Sequence, residues 1–142
     1  MFEQAAKTRV LILDGAMGTM LQEYKLTEED YRGAQFADWP SLLKGNNDLL
    51  SITKPDAVRA VHDMFFEAGA DFIESNTFNA TSISQSDYGL QDKAADIAAA
   101  GAKLARCAAD EWTAKTPDRP RGVLGAIGPL SKTLSLSPRV ED

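Results

Sequence analysis

Residues 9–22, RVLILDGAMGTMLQ, decide the fold. Val10, Leu11, Ile12 and Leu13 make an unbroken apolar run, too short for a helix and apolar on both faces, as in a strand of a buried parallel sheet. Asp14 ends the run. Gly15 and Gly18 follow, so the backbone can turn sharply and approach a ligand closely, and Met17, Met20 and Leu21 then suit a helix. A carboxylate at the carboxyl end of a buried strand, beside backbone N–H groups that open onto a helix, combines a negative group with an anion-binding concavity. The two halves of an amino-acid zwitterion would each find a counterpart there. The same residues also fit a plainer arrangement, in which Asp14 caps the helix and the glycines only make the turn. The spacing is neither a dinucleotide fingerprint, since no third glycine follows in register, nor a P-loop, since no Gly-Lys-Ser/Thr follows.

Outward from this stretch the pattern is βα repeated. Residues 26–50 are polar and punctuated: Thr27 and Asp30 can cap a short turn, Trp39-Pro40 breaks it, and Gly45-Asn46-Asn47-Asp48 signals a tight turn. Tyr31, Phe36 and Trp39 mark this segment as an ordered excursion packed over one end of the domain and not a linker. Thr53 as N-cap, Pro55 in the first turn and an apolar stripe of Ala57, Val58, Val61, Met64, Phe65 and Ala68 predict a helix that ends at Gly69. A second strand follows at residues 71–74 and closes in Ser75-Asn76-Thr77-Phe78-Asn79. A long alanine-rich helix is expected over residues 91–112, with Ile97, Leu104, Ala108 and Trp112 on its buried face. Residues 122–127 (GVLGAI) then form a third buried strand, closing at Gly128-Pro129 before Ser131, Lys132 and Thr133. Alternation of this kind means a parallel α/β sheet, with ligands bound at the carboxyl ends of the strands.

The 142 residues are 44% hydrophobic and 25% charged, ordinary for a globular protein. A formal net charge of −6, from 15 Lys and Arg against 21 Asp and Glu, argues against a nucleic-acid or anionic-membrane surface. No apolar run is long enough for a signal-peptide core or a bilayer span, so a cytoplasmic protein is the expectation. The single cysteine, Cys107, excludes an internal disulfide and a multi-thiolate metal site within these residues. It reads as a packing residue in the long helix. His62 reads as a surface or boundary residue beside the apolar stripe. Glu74 faces either a polar interior or a covering helix, and Asn76 and Thr77 are candidates both for ligand contact and for turn geometry. No complete catalytic set is present: there is no Ser-His-Asp group, no metal cluster and no acid–base pair at a defined separation.

Several motifs in order, LDGAMGTMLQ, DWPSLLKGNNDLLSITKP, FEAGADFIESNTFNAT, KLARCAADEW and the tail GPLSKTLSLSPRVED, closely resemble the start of cobalamin-dependent methionine synthases, within the homocysteine S-methyltransferase family. The resemblance covers essentially the entire chain. The first and third motifs are shared with homocysteine methyltransferases that use betaine or S-methylmethionine, whereas the insert through Trp39-Pro40 and Gly45-Asn46-Asn47-Asp48 is similar to the cobalamin enzymes alone.

The resemblance implies a (β/α)8 TIM barrel, of which residues 1–142 supply roughly the first three βα units, since such barrels need about 250 residues. It also implies the function: methyl transfer from methylcobalamin, the methyl originating in 5-methyltetrahydrofolate, to the zinc-activated thiol of homocysteine, giving methionine. Asp14, Gly15 and Ala16 match the family's substrate turn, the acid holding the amino group and the amides the carboxylate, with Ala16 where many relatives carry glycine. Asn76 and Thr77 match the second strand end. The three zinc-binding cysteines of the family come from later strands, and Cys107 matches none of them, so zinc, cobalamin and folate are expected on other parts of a longer parent. These residues alone are expected to be inactive and to expose sheet edges and apolar faces. Two alternatives stand beside this reading: a stand-alone methyltransferase using betaine or S-methylmethionine, and a non-catalytic amino-acid-binding module.

Overall fold

The computed structural model describes residues 2–130 and 132. It is a helix-rich α/β arrangement in which three parallel segments lie side by side. The central segment is β1, Phe72–Glu74, paired in register with β2, Gly122–Leu124, so that Ile73 stands opposite Val123. On the other side of β1 the 10–13 run joins through a single parallel bridge between Leu13 and Phe72. Three backbone hydrogen bonds support that bridge: Asp14 N donates to Phe72 O (3.0 Å), while Asp71 N and Phe72 N both donate to Ile12 O (2.7 and 3.1 Å).

The expected first strand is therefore much reduced and is not buried on both faces. Val10 is 82% exposed and Ile12 53% exposed, and beyond the sheet edge Ile127 is 86% exposed. Only β1 flanks the run, and no described residue covers its free edge or outer face. The third strand is also shorter than residues 122–127, for the pairing partner β1 ends at Glu74 and leaves Gly125 to Ile127 without a ladder. Of the polar cluster after it, Ser131 and Thr133 lie outside the described residues, as does the tail to Asp142.

The two longest helices cover the face of the sheet that carries Ile73. A short α1 (Phe2–Ala6) lays Phe2 against Phe72, ring centroids 4.5 Å apart. After α2 (Met17–Glu23), α3 (Glu28–Arg32) starts with the predicted capping box, Thr27 and Asp30 each bonding the other's backbone. A 3₁₀ turn at Asn47–Leu49 runs into α4 (Leu50–Thr53), and α5 (Pro55–Glu67) follows. Thr53 does not cap α5, because its hydroxyl donates to Leu49 O within the preceding turn. The short α6 (Ser82–Gln85) precedes α7 (Ala94–Lys115), which begins three residues later than expected because residues 91–93 form a 3₁₀ turn.

The core has two parts. Ile73 of β1 is fully buried against Phe66 of α5 and Ala105, Ala108 and Ala109 of α7, whose small side chains let the helix sit close to the sheet. Leu21, Tyr31, Phe36, Leu43, Leu49, Val58 and Ile97 form the second part, so the aromatic excursion is integral packing, as its composition indicated. At the amino end of β1, fully buried Asp71 accepts two hydrogen bonds from Arg9 (2.8 and 2.7 Å) and one from Ile12 N (2.9 Å), with Arg119 Nε 3.6 Å away. This network ties the first segment to the sheet where ladder bonds are few.

His62 is not a surface residue. It is fully buried on α5, beside the stripe that also takes in Phe66, while Met64 turns outward, and neither ring nitrogen has a hydrogen-bond partner among the described residues. Burial holds its pKa down at about 4, so the imidazole is neutral in the fold. The unfolded chain takes up a proton at about pH 6.5, so stability falls as pH drops from there toward 4, by an amount on the order of 2–3 kcal/mol. Chemical denaturation at pH 7 and pH 4.5 should show this loss in the wild type and a smaller one in His62→Leu; identical losses would show that His62 is not the titrating group.

Candidate substrate pocket at the strand ends

The carboxyl ends of the three segments open on one cavity of about 310 Å³, lined by Ala16, Met17 and Gly18 after the first segment, Glu74, Ser75, Asn76, Phe78 and Asn79 after β1, Ala126 after β2, and Asn47 and Asp48 from the excursion. The sequence placed polar clusters on this end of the sheet, and the structure gathers them there.

Asp14 does not cap α2. The N-cap position is Ala16, without a side-chain cap bond, and Asp14 Oδ1 instead accepts the backbone N–H of Glu74 at 2.8 Å. The carboxylate thus spans from the first segment to the end of β1, half-buried beside the cavity and not in its wall. Burial pushes its pKa up to about 6; the nearby Glu74 carboxylate adds to the rise, and the Glu74 N–H opposes it. A carboxylate so desolvated gains most from a cationic partner. The N–H groups of Gly15 and Ala16 donate to no described residue, which leaves them free for an anionic group.

Ala16 has φ 49° and ψ 29°, the left-handed conformation that costs an L-residue about 1–2 kcal/mol. Ala16→Gly should therefore leave stability unchanged or raise it by up to about 1 kcal/mol, the relief being partly offset by the freer unfolded chain. Thermal melting checks this, and a marked loss would show that the Ala16 methyl group packs usefully.

Asn76 lines the cavity, and its side-chain amide is already engaged: Nδ2 donates to Asn47 O (2.8 Å) and to Ser51 Oγ (3.1 Å). What it can still offer a ligand is its side-chain carbonyl. Thr77 sits away from the cavity. Its hydroxyl donates to Ala126 O (2.9 Å) and lies 2.7 Å from Ser75 Oγ, which accepts from Ala126 N (3.1 Å), so Ser75 and Thr77 stitch the ends of β1 and β2 together. Gly101 of α7 permits this approach, for a Cβ there would lie 2.8 Å from Asn76 O and 2.7 Å from Thr77 Cγ2. Glu74, left open between two orientations by the sequence, takes the face opposite Ile73 and reaches the cavity.

Sequence reading missed the contribution of the excursion. Asn46 and Gln85 form a buried reciprocal amide pair (2.7 and 3.1 Å), Gln85 Nε2 also donates to Asn79 O (3.1 Å), and Asp48 Oδ1 accepts from Asn79 N (2.8 Å). Tyr31 donates its hydroxyl to Asn47 Oδ1 (2.7 Å). The residues read as a turn therefore clamp the 76–79 loop and build one wall of the cavity. The only advance signal was the density of amide side chains next to aromatic residues.

Among the described residues no group of three or more His, Cys, Asp or Glu side chains is placed to hold a metal ion. Cys107, read from the sequence as a packing residue, is instead exposed on α7, where its thiol donates to Glu111 (3.3 Å) and that carboxylate pushes its pKa up. No described helix is long and apolar enough to cross a membrane.

Two solved structures of the Escherichia coli homocysteine methyltransferase MmuM are similar in fold. The metallated form matches with a TM-score of 0.67 at 23% identity over 90% of this chain and 41% of that one. The oxidized form also gives a TM-score of 0.67, at 24% identity over 87% and 39% of the two chains. The chain thus spans about two fifths of the length of these structures. The family Homocysteine S-methyltransferase matches residues 11–142, from the apolar run before Asp14 through every strand end that borders the cavity, and the chain belongs to that family.

Proposed function

We propose that these residues form the amino-acid end of the homocysteine pocket of a methyltransferase that converts homocysteine to methionine. The observation that carries this reading is the cavity at the strand ends, lined by Ala16 and bordered by the turn that holds the desolvated Asp14 carboxylate and the free N–H groups of Gly15 and Ala16. The ammonium belongs at the carboxylate and the α-carboxylate at the amides. The three parallel segments are then the opening part of a (β/α)8 barrel, and the apolar side chains of Val10, Ile12 and Ile127 are the positions its remaining units would cover.

Within the family, the methyl donor we favour is methylcobalamin, recharged from 5-methyltetrahydrofolate. The support is the excursion, whose Gly45-Asn46-Asn47-Asp48 segment resembles the cobalamin-dependent enzymes and contributes two residues to the cavity wall. Zinc does not fit these residues, given the absence of a ligand cluster among those described, and zinc, cobalamin and folate are assigned to polypeptide beyond this stretch. The test is a methyl-transfer assay on the complete polypeptide carrying these residues, supplied in turn with methylcobalamin, S-methylmethionine or betaine. Methionine formed from methylcobalamin is the expected result. Formation from either small donor alone would identify a stand-alone enzyme, and homocysteine binding with no turnover under any donor would identify a binding module.

A further inference from the structure

The cavity wall contains a buried charge that the reading above leaves unused. Asp48 is 3% exposed, yet it lines the cavity, and its one described hydrogen bond is from Asn79 N to Oδ1. No lysine, arginine or histidine stands among the lining residues, and no described cation pairs with Asp48. Its neighbours in the clamp, Asn46, Asn47, Asn76, Asn79 and Gln85, are all neutral amides. For accepting one backbone N–H an asparagine would serve as well, without the cost of desolvating a carboxylate. Burial indeed pushes the Asp48 pKa upward, opposed only by the Asn79 N–H and its own backbone.

We infer that Asp48 is a substrate-specificity residue, its free carboxylate oxygen taking one N–H of the homocysteine ammonium from the excursion side of the cavity. This rests on the homocysteine reading of the same site. An ammonium carries three donors, so Asp48 and Asp14 can share it, and neither displaces the other. A buried carboxylate is weakly screened and has no competing partner here, so its preference for a cationic ligand is stronger than that of exposed Glu74 in the same wall. The consequence is discrimination: thiols that lack the α-amino group are rejected, because they leave Asp48 buried and unanswered.

Calorimetric titration of the complete protein with homocysteine and with 4-mercaptobutanoate, the same molecule without the amino group, tests this. Asp48→Asn keeps an acceptor for Asn79 N and removes the charge. It should weaken homocysteine binding at least tenfold and change 4-mercaptobutanoate binding less than twofold. Unchanged homocysteine affinity, or a parallel loss for both ligands, would overturn the role given to Asp48 while leaving the pocket in place. Should Asp48→Asn fail to fold, Asp48→Ser is read with the same two ligands and the same criteria. Wild-type protein that does not bind homocysteine would instead remove the pocket reading, and this inference with it.

Discussion

Asp14→Asn in the complete protein is expected to weaken homocysteine binding by about 10- to 100-fold. The range is that of a charge-assisted hydrogen bond converted to a ratio of dissociation constants. The substitution keeps an acceptor for Glu74 N, so the join between the first segment and β1 survives and the loss reads out charge. The pH dependence gives a second signature. With the free carboxylate at about 6, acidification below that value neutralises Asp14 while the ammonium stays protonated, so wild-type affinity should be lower at pH 5 than at pH 7.5. The asparagine variant should lose the part of this dependence that is due to Asp14. An affinity equal to wild type at pH 7.5 would show that Asp14 serves only as the bridge to Glu74.

The other large effect is on stability. Asp71→Ala should destabilise the fold by about 3–5 kcal/mol, because it removes a fully buried carboxylate whose partners are the Arg9 guanidinium and the Ile12 N–H. Arg9 is partly exposed and can turn to water, which favours the lower end, whereas the Ile12 N–H loses its side-chain acceptor. The Arg9 pair holds the Asp71 carboxyl well below the usual carboxylate range. Its stabilisation is therefore complete above about pH 4, where the unfolded chain also ionises, and is lost as pH falls below that. The His62 loss falls at higher pH, between 6.5 and 4, where protonation of Asp14, raised to about 6, contributes with the opposite sign, so the His62 part is read as the difference between wild type and His62→Leu. Denaturant unfolding at pH 7 measures the substitution directly, and a cost below 1 kcal/mol would show that the network does not hold the first segment.

Periodicity and punctuation made the helices legible: Pro55 and the Val58–Val61 spacing located α5, and the Thr27–Asp30 pair gave the capping box of α3. Local pattern could not reveal how many neighbours a strand has. The run from Val10 to Leu13 reads as doubly buried, but its burial depends on chain packed from elsewhere, and here it meets only β1. His62 was misjudged because an imidazole at the edge of an apolar stripe is polar by type, whereas packing between α5 and its neighbours decides its burial. At the site, Asp14 and Ala16 stood out by position at a strand end. Asp48 did not, because a Gly-Asn-Asn-Asp run carries the same signal whether it faces solvent or, as here, runs into a 3₁₀ turn whose Asp48 is buried against Asn79.

The position of the amino-acid end of the substrate is the central point. A crystal structure of the complete enzyme with homocysteine bound tests that directly. The expected density places the ammonium within hydrogen-bond distance of Asp14 and the α-carboxylate on the N–H groups of Gly15 and Ala16, in the cavity that also contains Asn76. An amino-acid end held at the opposite end of the strands, near Arg9 and Asp71, or one that leaves the Asp14–Ala16 turn without contact, would contradict it.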